Sequence, residues 1–364
     1  MSKISSLNVR IRTLTPLWTG GVDGTMDKIH ETGIIGSLRW WYEAIVRGLG
    51  GEACDPTGKG KCEYSPKNNR SPEEQLCPAC YVFGTTGWKR RFRLEIVEDK
   101  TTPIWEPPDR TLNIRPPNRT RGWYLLPGRM GNLSLKFTGD SKVLSLIAGL
   151  LLFLEKWGNL GAKPQLGYGV FAIENRDEVI EWAYGNGGDK SGWKWKVLNN
   201  NNDNNNNTNK NPPDLKQFGF FKYRFKPTQP GWWTQVPGLS RVSTKIQPII
   251  SQYQTVPVSP SLKNEWRFNQ WNRKWGDERE TFGVIQPGGV RLRSKVAVSW
   301  AYKTDGVWEV RGWVCLKSSN WANKVWDILS NKQIWQTILN AHGQIDTYKP
   351  TSSKDVLEIL EETK

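Results

Sequence analysis

The chain has 364 residues, 37% of them hydrophobic, and carries 51 Lys+Arg against 35 Asp+Glu, a formal net charge of +16. That length fits two ordinary domains or one large domain with insertions, and no apolar run reaches the roughly 18 residues that make a membrane-spanning helix. The excess of cations points to a polyanionic partner, and an N-terminus without an apolar core makes the cytoplasm the default compartment.

Taken in chain order, Leu7, Val9 and Ile11 alternate with Asn8, Arg10 and Arg12 over 7–15, which predicts a strand with one buried face. Leu38, Trp41, Tyr42, Ile45, Val46 and Leu49 then recur at helical spacing, between Ser37 as N-cap and Gly50-Gly51 as stop. A cysteine-bearing segment occupies 52 to about 84. Phe92, Leu94 and Ile96 alternate with Arg91, Arg93 and Glu95 as a second strand, and a loop rich in proline and arginine runs from 99 to 130. A third strand over 132–137 leads into a second helix, capped by Asp140 or Ser141, whose apolar residues leave little surface for solvent. A glycine-rich stretch, 158–169, runs into a fourth strand within 168–174.

The order β-α-β-β-α-β is the ferredoxin-like, or split βαβ, arrangement that also underlies RNA-recognition motifs. It predicts an α+β first domain over 1–176 decorated by the cysteine insertion (52–84) and the basic loop. Residues 177–214 read as a connector, because the asparagine run from 199 has almost nothing apolar to pack. From 215 to 364 a second, more irregular α+β domain is expected. It has a strand over 218–226, a hairpin around Thr304-Asp305-Gly306, one long amphipathic helix over 321–343 and a final helix over 353–362.

Glycines 158, 161, 167 and 169 strip side chains from the turn between a buried helix and a strand, and bare backbone N–H groups can approach phosphate closely. Lys163 adds a charge there, and Gln165 a hydrogen-bonding amide. No Gly-Lys-Ser/Thr opens a following helix, which excludes a Walker loop. The helix starting at Gly36-Ser37 is a second phosphate candidate, with Arg39 supplying a fork of donors. On its residues alone it reads better as a plain Ser cap with a solvated arginine. Lys89, Arg90, Arg91 and Arg93 surround Trp88 and Phe92, and the loop at 99–130 contributes Arg110, Arg115, Arg119, Arg121 and Arg129 beside Trp123 and Tyr124. Most of the 21 tryptophans belong in the core or an interface, with some free to stack on bases. Cys54, Cys62, Cys77 and Cys80 are a four-thiolate set suited to one tetrahedral, structural zinc, although the first pair is spaced more widely than in a common zinc ribbon.

The segments "TPLWTGG" (15–21), "TGIIGSLRWWYEAIVRGLGG" (32–51) and "CPACYVFGTTGWKRRFRL" (77–94), with the glycine-rich loop, resemble the RAMP superfamily of CRISPR proteins. Within it they are most similar to the first-subunit family of the type III-B (Cmr) RNA-guided effector complex. The resemblance covers about residues 7–174 and is diffuse beyond them. It implies two ferredoxin-like domains and binding of guide RNA and target RNA near the guide's 3′ end, among other Cmr subunits and away from membranes. Gly36, Ser37, Arg39, Gly161, Lys163, Gln165, Gly167, Tyr168 and Gly169 would then lie along the RNA, with Lys89, Arg90, Arg91, Arg93, Arg119 and Arg121 as its basic surroundings. Family members carry a thumb-like insertion where this chain has its arginine loop. The asparagine run departs from the family.

Catalysis is poorly supplied. The two histidines are His30 and His342, and His30 lies in the polar loop with Asp23, Asp27 and Glu31. A related family of guide-RNA processing nucleases uses a histidine with a glycine-rich loop, which makes His30 the runner-up as a general base. Target-slicing RAMP subunits use an aspartate in this region, a place that Asp23 or Asp27 would take. The residues favour binding over cleavage. A general single-stranded RNA-binding protein outside CRISPR is the alternative from another class.

Overall fold

The alternation at 7–13 forms the strand around which the first sheet is built. The computed structural model describes residues 4–21, 24–105, 111–185, 213–271, 278–285, 291–316 and 322–363. Its first half contains β1 (Ile4–Thr13), α1 (Glu31–Gly48), β2 (Phe92–Pro103), β3 (Arg129–Asp140), α2 (Ser141–Lys156) and β4 (Phe171–Ile173), followed by α3 (Arg176–Tyr184). The sheet is antiparallel in the order β2-β3-β1-β4. Leu7, Val9 and Ile11 are fully buried on its helical side, while Asn8, Arg10 and Arg12 lie on the open side.

Several boundaries differ from the sequence reading, two of them with consequences for the candidate site. Helix α1 begins at Glu31, with His30 at its N-cap position, so Ser37 lies in its second turn and caps nothing. Its hydroxyl donates instead to the Ile34 carbonyl, 2.9 Å away. Strand β2 runs on to Pro103, and the arginine loop holds a short hairpin, Leu112–Ile114 with Trp123–Leu125. Leu112, Ile114 and Leu125 bury its inner side.

The second half repeats the same order. Strand β5 (Phe218–Phe225) is followed by α4 (Ser243–Tyr253), then β6 (Ala301–Thr304), β7 (Val307–Cys315), α5 (Ala322–Ser330), α6 (Lys332–Leu339) and β8 (Gly343–Tyr348). Its antiparallel sheet runs β8-β5-β7-β6, with Thr255–Val256 beyond β6. In both sheets the first strand is thus flanked by the third and the fourth. The long helix expected over 321–343 is two helices, because Asn331 breaks it and accepts from the Gln333 amide at 3.0 Å. The final helix, α7 (Ser353–Glu361), turns back onto the first half, where Val356 closes over Gly48 of α1. The asparagine run from 199 to 212 lies outside the described residues.

The seam between the halves explains why α2 is greasy all round. One side of α2 covers the first sheet. Its Phe153 meets Trp41 of α1 and Phe220 of β5, with ring centroids 5.7 and 6.0 Å apart. Along β5 and β7 the register pairs Phe220 with Trp313, Lys222 with Arg311 and Arg224 with Glu309 on the face toward α2. The opposite face carries Phe221 and Tyr223 against Trp266 and Trp335. The second sheet is therefore buried on both faces, and the tryptophans named here belong to cores.

The polar end of the seam closes on α2. Arg311, 5% exposed, donates to the Glu155 carbonyl and reaches those of Leu154 and Gly158 at 3.4 Å, which places a cation on the negative end of the helix. Burial alone would raise the Glu309 carboxyl, yet Lys222, Arg311, Tyr302 and Arg224 hold it below the ordinary range. Lys222 sits 4.5 Å above the Trp157 ring, and burial pushes its ammonium down to about 7.

Arg311→Met leaves the Leu154, Glu155 and Gly158 carbonyls and Glu309 short of a cation, and is expected to cost about 3–5 kcal/mol in urea unfolding. Lys222 adds a pH dependence. Between about 7 and its ordinary value of 10.5, the unfolded chain holds a proton that the folded chain has released. Its contribution to stability is therefore lowest below pH 7 and rises through that window. Lys222→Met should flatten the rise in urea midpoint between about pH 7 and pH 9; an unchanged slope would show that Lys222 is not its source.

Candidate metal centre and nucleic-acid interface

Residues 52–84 fold against α1 through three charged side chains spaced four apart. Arg39 donates to Glu43 at 2.8 Å, to the Gly84 carbonyl at 2.8 Å and to Cys80 Sγ at 3.3 Å. Arg47 holds the other end of the segment, donating to the Ala53 and Cys54 carbonyls at 2.8 and 3.1 Å. Between these anchors, Cys77-Pro78-Ala79-Cys80 enters the short helix Pro78–Phe83, so both of its sulfurs turn to one side. Cys54 and Cys62 face them, and the four Sγ atoms lie within 4.8 Å of one another. The Cys54–Cys80 and Cys54–Cys77 separations are 3.4 and 3.8 Å. A tetrahedral zinc with bonds of about 2.3 Å spaces its sulfurs about 3.8 Å apart, so the donor set is compatible with structural zinc. Hydrogen bonds from Cys54, Cys62 and Cys80 push the Cys77 thiol far below its usual range, toward the thiolate a metal takes. Arg39, read from the sequence as an RNA contact, is spent on this centre.

The glycine-rich turn is pressed between the halves. A side chain on Gly161, at φ +73°, would meet the Trp18 carbonyl at 2.4 Å, and one on Gly167, at φ +90°, would meet the Trp300 ring at 2.6 Å. The second half also takes up the turn's carbonyls. Lys263 Nζ donates to Gln165 O at 2.5 Å, while Trp300 Nε1 and Ser259 Oγ both donate to Leu166 O at 3.0 Å. Close packing of backbone thus accounts for these glycines. Gly167, Tyr168 and Gly169 are buried, and the Tyr168 hydroxyl donates to the Leu126 carbonyl, so these three candidates meet protein rather than solvent.

What stays open is the outer rim of the turn. The Gly161 amide donates to Ser37 Oγ at 2.9 Å, which joins the rim to exposed Gly36 on α1. Lys163, half-buried and in a left-handed backbone conformation, carries its ammonium 3.7 Å above the Trp18 ring. Gln165 is also half-buried.

The other cations separate into two places. Lys89, Arg90 and Arg93 are exposed beside the cysteine segment, whereas Arg91 lies over the Tyr81 and Trp88 rings at 5.1 and 5.9 Å. Arg90 Nε donates to the Phe92 carbonyl at 2.7 Å, and Arg93 pairs with Glu95 at 2.8 Å. In the arginine loop, Arg121 is exposed, while Arg119 stacks 3.6 Å above Phe268 of the second half. The loop's hairpin therefore lies against the second half. Arg129 is occupied by Thr101 and the Asp27 carbonyl, and Arg110 lies outside the described residues.

His30 has a partner that the sequence did not reveal. Its Nε2 lies 2.7 Å from Asp27 Oδ1, and that hydrogen bond holds the Asp27 carboxyl below the ordinary range. Asp27 is the only partner of its ring among the described residues, and Asp23 lies outside them. Sequence reasoning also missed Lys222, Glu309 and Arg311. Their strand alternation was visible, but a strand covered on both faces gives no sign of which polar residues are buried.

Residues 10–172 match the RAMP superfamily. No curated protein matches the chain in sequence. Among solved structures, Cmr1 from Pyrococcus furiosus in its apo form is similar at a TM-score of 0.43 and 11% identity, over 95% of this chain and 98% of that one. A chain of the type III-B Cmr-beta complex bound to cognate target RNA and AMPPnP is similar at 0.36 and 12%, over 98% of each. A chain of a type IV-B CRISPR complex is similar at 0.32 and 14%, over 47% of this chain and 91% of that one. These TM-scores lie below 0.5, so the likenesses carry no assignment of their own.

Proposed function

We propose that this chain, whose residues 10–172 form a domain of the RAMP superfamily, is an RNA-binding subunit of a type III-B (Cmr) CRISPR effector complex. In this reading it contacts guide RNA and target RNA near the guide's 3′ end, and other Cmr subunits cover part of its surface. The observation that carries it is the superfamily match over the first sheet and its helices, the part of the chain that presents the Gly36–Ser37–Gly161–Lys163 rim. The shared strand order supports reading both halves as ferredoxin-like domains.

Chemically, the rim offers exposed backbone at Gly36 and one ammonium at Lys163, which suits passage of a phosphodiester rather than recognition of a base. Lys89 and Arg93 extend the positive surface beside β2. The long-range field of a +16 chain would draw RNA to these places, and the sequence-independent part of binding would fall with salt. The cysteine centre, holding one zinc, would keep the 52–84 segment folded. Four protein ligands leave no position for water, so the ion's part is structural. His30 and Asp27 supply a base and a carboxylate that orients it. A metal-independent ribonuclease needs an acid as well.

Lys89→Ala, Arg93→Ala and Lys163→Ala should each weaken binding of single-stranded RNA across sequences and lower the salt slope by about 0.7. Retention of both affinity and slope in all three would sink the proposed surface. Co-purification of the tagged chain with guide RNA and the other Cmr subunits would separate this reading from a general RNA-binding protein. Elemental analysis should find about one zinc per chain, lost in Cys77→Ser together with thermal stability; metal-free protein of unchanged Tm would remove the zinc. Guide plus complementary target RNA should stay intact with and without magnesium, and specific cleavage abolished by His30→Ala or Asp27→Ala would overturn the binding-only reading.

A further inference from the structure

A cleft of about 370 Å³ lies between the two halves, lined by residues of both sheets and of the end of α4. The first sheet supplies Arg12 and Asn132, which are register partners on its open face. The second half supplies Gln252, Tyr253 and Gln254 from the end of α4 and Lys303 from β6. The walls are tied to one another. The Lys303 amide donates to the Gln254 carbonyl at 3.0 Å, and the Tyr253 hydroxyl bonds to Thr102 Oγ1 of β2 at 2.7 Å, which fixes the ring. Gly131 forms part of the floor, where a side chain would strike the Lys100 carbonyl at 2.4 Å.

The polar lining is unspent. Arg39, Arg47, Arg129 and Arg311 are engaged by protein acceptors, and Arg10 lies 4.0 Å from Glu178. Among the described residues, the side chains of Arg12, Asn132, Gln252, Gln254 and Lys303 have neither hydrogen bond nor ion pair. Two cations, three amides and a fixed aromatic ring thus converge on a space of the size that takes a small ligand. Cations suit a phosphodiester, amides suit the edge of a base or a 2′-hydroxyl, and the ring suits stacking. Asp305 on the rim disfavours a dense anion such as a triphosphate and is an acceptor for a base amino group.

We propose that this cleft binds one nucleotide of a single-stranded RNA, its phosphate on Arg12 and Lys303 and its base against Tyr253. The inference rests on the RNA-binding reading above but concerns a different surface from the Gly36–Lys163 rim. The test uses the full chain and a short single-stranded RNA of mixed sequence, with anisotropy for affinity and ultraviolet cross-linking mapped by mass spectrometry. The wild type should cross-link at Tyr253. Arg12→Gln with Lys303→Gln should lower the salt slope by about 0.7, the share of the one phosphate they hold, and Tyr253→Leu should weaken binding at least about fivefold. RNA binding with cross-links elsewhere and unchanged affinity in these variants would overturn the cleft while leaving the RNA reading intact. A wild type that binds no RNA at low salt would overturn both. A poly-glutamate peptide that competes as well as RNA would assign the cleft to acidic protein instead.

Discussion

The arrangement of this molecule depends on a guanidinium placed at the end of a helix. Arg311 stands in the second sheet, but its acceptors are the Leu154 and Glu155 carbonyls at the end of α2 and the Gly158 carbonyl just beyond it, all in the first half. The last carbonyls of a helix lack their full set of partners within it and carry its negative end, so a cation delivered from another element stabilises them directly. Glu309, Lys222, Tyr302 and Arg224 then have to fit around that position. A buried ionic cluster of this kind is a weak source of net stability, because desolvation offsets much of its attraction. Its effect here is on register. Sliding β7 by one residue would turn Arg311 and Trp313 away from α2 and present Val310, Gly312 and Val314 in their place.

With that register set, the glycine-rich turn has one path open to it. It leaves the end of α2 beneath Trp313, whose indole N–H donates to Asn159 Oδ1 at 3.1 Å. It then runs between Trp18 on one side and Trp300 on the other before reaching β4. Backbone that passes so close to backbone and indole leaves no room for Cβ atoms. The same confinement selects which parts of the turn face outward, namely Ala162, Lys163 and part of Gln165. Packing inside and presentation outside are therefore two results of one constraint.

The chain's charge is divided in the same way. Several arginines work as structural donors: Arg39 and Arg47 at the cysteine segment, Arg129 at the strand ends and Arg311 at the seam. A guanidinium suits this work, since it offers several donors in a fixed plane and stays charged when partly buried. Exposed cations remain in several places, among them Arg12 and Lys303 at the cleft, Lys89 beside the cysteine segment and Arg121 in the arginine loop. Net charge alone overstates the surface available to a polyanion.

The sequence by itself determined a good deal. Alternation of Leu7, Val9 and Ile11 with polar residues sufficed for β1 and its buried face, because a period of two leaves a half-covered strand no other arrangement. Four cysteines ending in Cys77-Pro78-Ala79-Cys80 sufficed for their convergence, since a helical turn brings such a pair to one side. The β-α-β-β-α-β order of the first half was also legible, down to the two helices that cover its sheet. Tertiary structure decided which of the marked residues remain accessible. Arg39 and Tyr168 carry the same signature in sequence whether they face RNA or protein, and long-range partners at Cys80 and Leu126 settle it. The start of α1 was missed because its first turn, Glu31 to Ile34, lacks an N-cap side chain, and its apolar stripe becomes continuous only later. The cleft of Arg12 and Lys303 was beyond any local pattern. Those residues stand 291 positions apart, and only the docking of two sheets brings them together.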